Sequence, residues 1–310
     1  MSTVRNKNLL GTAQLMLAAF IWGSAFVAQS AGMEHIGPFT FATVRFFLGG
    51  IVLLPLIFIR DRFAKKHPAY MPNPKGGFKK LLISGIICGI LLTVASNLQQ
   101  LGLLYTTVGK AGFITTLYVI LVPVCGLFFK DRPSINVWIA VVVATIGLYL
   151  LCITEGFTLS LGDGLVLLCA IVYTAHIVVV GKVSPDLDPI KLSCIQFLTV
   201  GAVTLIPALI FETVNVIEIA RAWLPIAYAG ILSSGVAFTL QVVAQKHTDT
   251  TIAAITMSFE SVFAVLSGAV VLRQIPTLRE GIGCVVMFAA IILAQLPPIK
   301  RKETHLKETL

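Results

Sequence analysis

This chain runs without a single Asp, Glu, Lys or Arg over residues 8–33, 81–109, 133–154, 222–245 and 281–299. Each run is close to or above the roughly 20 apolar residues that an α-helix needs to cross the hydrocarbon core of a bilayer. Composition agrees: 57% of the 310 residues are hydrophobic and 12% are charged, against about 45–50% and about 25% in soluble globular domains. A chain of this length would suggest about two soluble domains, but these runs leave no room for a large soluble catalytic domain. The expected class is an all-α integral membrane protein in contact with the lipid bilayer.

Apolar runs and their charged punctuation predict ten transmembrane helices near 10–31, 39–59, 81–104, 110–129, 135–153, 163–181, 190–211, 223–245, 250–272 and 280–297. Helices are required because a lipid-exposed backbone must satisfy its hydrogen bonds within the segment, and runs this long lack the short alternation of a membrane barrel. An even number of spans puts both termini on one side. A cytoplasmic placement puts eighteen Lys and Arg inside and four outside (Lys110, Arg221, Arg273 and Arg279), with Arg45 left inside a span. This is the positive-inside bias, so the net charge of +9 is a topology signal and does not point to nucleic acid. The first span is too long for a signal peptide. The six cysteines all fall within spans, without a C-x-x-C pair, and read as small buried residues. No metal site and no cofactor is expected.

Sliding the chain by 151 residues aligns Gly11 with Gly162, Trp22 with Tyr173, Pro38 with Pro189, Phe46 with Phe197 and Gly50 with Gly201. Beyond the basic loop at 60–80 the offset falls to 143, where KDRPS at 130–134 meets RQIPT at 273–277. The organisation read from this is a cytoplasmic N-terminus at 1–9, a first five-helix repeat over 10–153, a second over 163–297 and a basic cytoplasmic tail at 298–310. Five is odd, so the second copy enters the membrane from the opposite side. Inverted repeats of this kind are a transporter design, in which two halves exchange inward-open and outward-open shapes around a midplane site.

Several stretches resemble the drug/metabolite transporter superfamily, in its EamA-type ten-helix form. They are the opening from Leu15 to Phe26 with its FIWGSAF, Pro38 and the Arg45-Phe46 pair, AGFITTLYVILVP from Ala111 to Pro123, and ITMSFESVFAVLSG from Ile255 to Gly268. The resemblance covers about 12–151 and 163–295. Family members often carry Glu-Pro where this chain has Glu260-Ser261, and a glutamate at the turn positions held here by Asp131 and Gln274. No role is carried over to those turn positions. The resemblance implies a cell-membrane carrier for a small-molecule substrate, with efflux of amino acids, related metabolites or toxic compounds as its task.

Of the fourteen acids only Glu260 lies well inside a span, and Arg45 is the one base that does so. Burying either at mid-helix costs roughly 2.5–3.5 kcal/mol on insertion scales, so such groups face a partner or a watery cavity. Ten residues into the ninth helix, at about 1.5 Å per residue, Glu260 reaches the bilayer middle. There it can exchange a proton or hold a cationic substrate group; the alternative is a bond across a helix interface, or a pair with Arg45. Arg45 can attract a carboxylate or clamp neighbouring carbonyls.

Polar residues at helical spacing suggest a solvated face: Thr93, Ser96, Asn97 and Gln100 in helix three, Ser234, Gln241 and Gln245 in helix eight, Thr256, Glu260 and Ser267 in helix nine. Among these, Asn97, Gln100 and Gln241 are expected at the cavity, and the small hydroxyls at packing contacts. Trp22 and Tyr173 lie in mid-span, away from the interfaces where aromatic belts sit, and can flank a substrate from each half. His176 follows Tyr173 by one turn, either as a neutral hydrogen-bonded group or as a proton relay with Glu260. Tyr118 precedes Pro123, whose missing N–H frees the carbonyl of Val119, which can supply a hinge or a ligand.

Other chemistry finds no constellation. Leu104 stands where the first glycine of a Walker A motif ending in Gly109-Lys110 belongs, and neither H-E-x-x-H nor G-x-S-x-G occurs. The expected function is a secondary transporter, not an enzyme, working by alternating access with protons as a candidate coupling ion. The alternative is a membrane-embedded enzyme or a sensor scaffold built on the same bundle. The topology is directly testable. Cysteines introduced at Ser2 and Thr304, in a variant whose native cysteines are replaced by serine, should react with a membrane-impermeant maleimide only after intact cells are permeabilised. Labelling of either one in intact cells contradicts the assignment of both termini to the cytoplasm.

Overall fold

The computed structural model describes residues 2–66, 76–106, 108–128, 133–152, 160–271 and 277–296, and the secondary structure among them is entirely helical. The first repeat contains α1 (Ser2–Met33), α2 (Pro38–Lys66), α3 (Phe78–Gly102), α4 (Val108–Thr115), α5 (Tyr118–Phe128) and α6 (Ile135–Cys152). The second contains α7 (Leu161–Val183), α8 (Pro189–Phe211), the short α9 (Val216–Arg221) and α10 (Trp223–Ala227), a π-helical segment Tyr228–Phe238, then α11 (Thr239–Gln245), α12 (Thr250–Met257), α13 (Glu260–Val271) and α14 (Leu278–Gln295). The chain positions 130–132 and 273–276 in the KDRPS and RQIPT turns, most of the basic loop and the tail from 298 lie outside the described residues.

Helix starts are written in the sequence as side-chain caps. Asp188 accepts from the N–H groups of Ile190 and Lys191 ahead of α8, and Asp249 from those of Thr251 and Ile252 ahead of α12. Ser160 with Asp163 and Thr277 with Glu280 close capping boxes on α7 and α14. Each cap satisfies N–H groups that have no partner inside the helix.

Ten spans were expected, and among the described residues eight helical segments are long and apolar enough to cross a bilayer. In the fourth of them α4 and α5 count together, α10 to α11 form another, and α12 with the start of α13 a third. The other two expected spans fall on α6, whose apolar stretch Ile135–Leu150 is shorter, and on α14, which has 18 residues with Arg279 and Glu280 in its first turn. These two helices pack along each other. Two further helices extend beyond their apolar runs: α1 begins at Ser2, and α2 continues to Lys66. The extra turns of α2 are held by ion pairs to the start of α8, Arg60 Nη2 to Asp188 at 2.6 Å and Lys191 Nζ to Asp61 at 2.6 Å.

Packing repeats when the two halves are exchanged. The pairs α2 with α8 and α6 with α14 map onto themselves. The contact of α3 with α7 has its counterpart in α1 against the π-helical segment and α11, and that of α1 with α12 and α13 in α7 against α4 and α5. Large apolar side chains such as Leu54, Phe58, Ile206 and Leu209 are exposed on the outside, as lipid-facing surface requires. Between the helices small residues let backbones approach. A Cβ on Gly23 of α1 would meet the carbonyl oxygen of Glu260, Cβ of Phe263 and the amide of Ala264. The substitution Gly23→Val therefore forces α1 away from α13, and a loss of about 1–3 kcal/mol is expected from overpacking. Thermal unfolding in detergent should show a lower midpoint for Gly23→Val and little change for Gly77→Ala, where a Cβ meets nothing within 4 Å.

Candidate substrate cavity

Two spans are interrupted at matching places. Thr116 and Leu117 separate α4 from α5, and Ser258 and Phe259 separate α12 from α13. The sequence reading placed the discontinuity of the fourth span at Pro123; the structure carries Pro123 inside α5 and breaks the helix before it. It treated the ninth span as one helix, with Glu260 in its middle. Glu260 is instead the first residue of α13, and Tyr118 is the first of α5. The Tyr118 hydroxyl donates to Glu260 Oε1 at 3.4 Å, across 142 residues of chain.

Between the halves lies a cavity whose empty space, open solvent included, is about 510 Å³. Its lining comes in repeat-related pairs. Trp22 faces the cavity as Tyr173 does, and Phe26 as Ile177 does, each pair 151 residues apart. Gln99 and Gln241, Thr115 and Met257, and Tyr118 and Glu260 do the same at a separation of 142. Gln29, Arg45, Ser233 and Phe238 complete the wall. Trp22 and Tyr173 are half-buried and the other lining residues are buried.

Arg45 is 2% exposed, its guanidinium 4.7 Å from the Phe46 ring centre and 5.9 Å from that of Phe41, and its Nε has no hydrogen-bond partner. Glu260 is 6% exposed and is bonded to Tyr118, not paired with Arg45. Trp22 Nε1 donates to the carbonyl of Ser233 at 3.3 Å while its ring packs on Phe238 at 4.7 Å. Gln99 Nε2 donates to Thr115 Oγ1 at 3.1 Å, Gln241 Nε2 to Gln245 Oε1 at 3.1 Å, and Gln245 Nε2 to the carbonyl of Ile177 at 3.1 Å.

Three of the expected residues lie off the cavity wall. His176 is fully buried, 3.1 Å from Gln196 Oε1 through Nε2 and edge-on to Phe238, so its side-chain partner is Gln196 and not Glu260. Asn97 donates to Thr204 Oγ1 at 2.8 Å and to the carbonyl of Thr93 at 2.9 Å, which ties α3 to α8. Gln100 is fully buried with neither amide atom partnered, and its neighbour Gln99 takes the cavity position. Ser234, expected at a packing contact, is off the wall as well, and its neighbour Ser233 lines it. The reason there is the π-helical segment Tyr228–Phe238, whose wider turn changes which serine shares a face with Gln241. Among the described residues no group of three or more His, Cys, Asp and Glu is placed to hold a metal ion.

The model of the EamA-like transporter family matches this chain twice, over residues 9–153 and 160–296. The chain belongs to the EamA-like transporter family. Two proteins of Archaeoglobus fulgidus, each described as an uncharacterized transporter, are 31% and 24% identical to it, covering 94% and 90% of this chain and 87% and 95% of their own lengths. A crystal structure at 17% identity superposes with a TM-score of 0.73 over 92% of this chain and 96% of its own, which shows a shared fold.

In this EamA-like transporter, a multi-pass membrane protein, the cavity offers one cationic group, one carboxyl group, three carboxamides and an aromatic wall. Desolvated and unpaired with each other, Arg45 and Glu260 are free to be matched by opposite charges on a ligand, while the rings take up apolar surface. Water access can be read without knowing the ligand. In a variant whose native cysteines are replaced by serine, Gln99→Cys and Gln241→Cys should react with a small charged methanethiosulfonate at least ~tenfold faster than Gln100→Cys, because only the first two positions line a polar cavity. Equal rates at all three positions would contradict the lining described above.

Proposed function

We propose that this EamA-like transporter is a secondary carrier that exports a small metabolite, an amino acid or a closely related compound, by alternating access at the cavity between Trp22 and Tyr173. On this reading it has ten membrane-crossing helices in two inverted five-helix repeats, 10–153 and 163–297, and both termini are cytoplasmic. Glu260 binds the coupling proton, and Arg45 receives the substrate carboxylate. Trp22, Tyr173 and Phe238 enclose the apolar part of the substrate, and Gln99 and Gln241 supply hydrogen bonds from opposite halves.

The observation that carries this reading is the cavity wall, to which each half contributes equivalent positions, with Arg45 and Glu260 on it and not paired to each other. Two embedded charges that leave each other unmatched are costly, and a zwitterion offsets both at once. Inverted halves supply the two access states from one backbone design.

Charge movement in proteoliposomes adsorbed to a solid support tests it, with a panel of amino acids and amines applied with and without a pH gradient. A saturable current for one substrate class is expected, and Glu260→Gln should abolish its dependence on the pH gradient while radiolabel counterflow persists. Undiminished gradient-driven transport in Glu260→Gln removes the proton-coupling role. Neither current nor counterflow across the panel overturns the assigned substrate class.

A further inference from the structure

The two helix breaks are one turn made twice. In the first, the amide of Thr116 donates to the carbonyl of Gly112, Leu117 to Ile114, Val119 to Thr116 and Leu121 to Leu117. In the second, 142 residues on, Ser258 donates to Ala254, Phe259 to Thr256, Ser261 to Ser258 and Phe263 to Phe259. All four bonds recur at equivalent positions. Two in each set span three residues instead of four, a tighter geometry that marks mid-helix hinges. Each break also carries a hydroxyl turned back on its own helix: Thr116 Oγ1 donates to the carbonyls of Gly112 and Phe113, both at 2.9 Å, and Ser258 Oγ to that of Ile255 at 2.8 Å. Such back-bonding bends helices.

The breaks touch. Thr116 Oγ1 lies 3.3 Å from Ser261 Oγ, and Ser261 Oγ donates to the carbonyl of Gly112 at 3.4 Å. Around this point α4 packs on α13 and α5 on α12. The two spans therefore cross where both are broken, and the crossing separates one pair of half-helices, α5 and α12, from the other, α4 and α13. Tyr118 and Glu260 sit at equivalent positions on either side of the crossing and bond to each other.

We infer that the two breaks form a single paired hinge, with Tyr118 as the positioning residue that holds Glu260 across it in the empty cavity. A ligand group or proton that takes Glu260 competes with the Tyr118 hydroxyl. Loss of that bond frees α5 and α13 together, and the pair α5 and α12 then tilts against the pair α4 and α13. The competing ligand rests on the function proposed above; the coupling of the two breaks does not.

Hydrogen–deuterium exchange of the full chain in lipid nanodiscs, read by mass spectrometry without any ligand, tests the coupling. Tyr118→Phe removes one hydroxyl from the first repeat. Exchange of the amides at 258–263 in the second repeat should rise about threefold or more, together with that at 116–121, since local openings in one cooperative unit share a free energy. Thr116→Val, which loses the hydroxyl bonds to Gly112 and Ser261 and leaves Tyr118 in place, should raise exchange at both breaks as well. A rise confined to 116–121 in both variants, or no rise at either break, overturns the paired hinge. A transport assay that fails to find a substrate leaves this readout untouched, so the two proposals fall separately.

Discussion

A backbone in hydrocarbon must find partners for its N–H and C=O groups within the protein, and this constraint governs the molecule. It makes the described chain helical throughout and confines irregular backbone to places sealed by other helices. The breaks at 116–117 and 258–259 are such places: Thr116, Ser258 and Ser261 are all buried, and the hydroxyls of Thr116 and Ser258 take up the Phe113 and Ile255 carbonyls that the interrupted ladder releases. A substrate cavity in a membrane needs polar groups and adjustable backbone at mid-depth. Both are supplied at the one crossing where protein surrounds them on every side.

Symmetry of backbone and asymmetry of side chains divide the work. The halves share breaks and packing partners, yet Trp22 faces Tyr173, Tyr118 faces Glu260, and Arg45 has Gln196 as its equivalent. Equal backbones give two related arrangements of similar energy, which is what exchange between access states requires. Unequal side chains give the cavity a polarity. A wall that repeated Glu260 in place of Tyr118 would set two carboxyls against each other, and one that repeated Arg45 in place of Gln196 would add a second buried cation without a partner. Gln196 instead meets His176, so the position that is charged in one half serves packing in the other.

Much of this was legible in the sequence, for reasons that also mark where legibility ends. Charge-free runs located the spans because burying charge in lipid is costly, and the same cost singled out Arg45 and Glu260, which do line the cavity. Trp22, Tyr173, Tyr118 and Gln241 line it too. Gln99 was passed over for Gln100 because a spacing argument fixes a face only to within a residue, about 100° of helix. The 143-residue offset of the two turns carries Gln241 back to Leu98, and only the 142-residue separation of the cavity-lining pairs makes Gln99 its equivalent. Ser233 was hidden behind Ser234 by a π-helical segment that periodicity assumes away. The breaks themselves left little trace, since Thr and Ser are common in membrane helices and only their bonds to Gly112, Phe113 and Ile255 reveal a turn.

The pair α2 and α8 shows what need not move. Gly50 of α2 receives the Leu198 side chain, and its equivalent Gly201 of α8 receives Phe47, the equivalent of Leu198. At one end Arg60 and Asp61 reach Asp188 and Lys191; at the other, Glu212 accepts the amides of Phe39 at 2.8 Å and Thr40 at 2.7 Å, so that an acid from α8 caps the start of α2. Gly37 lies beside it, and a Cβ there would push the Glu212 carboxylate away from the position it holds on these amides. Charge at an N-terminus and at a cap is most effective close to the helix end, and here both ends of one antiparallel contact are held in that way. None of these bonds involves a residue of α4, α5, α12 or α13, the helices of the crossing at Thr116 and Ser258. The fold thus separates a clamped seam, where the halves meet over the full length of two helices, from a broken crossing, where they meet at a few hydroxyls and one tyrosine.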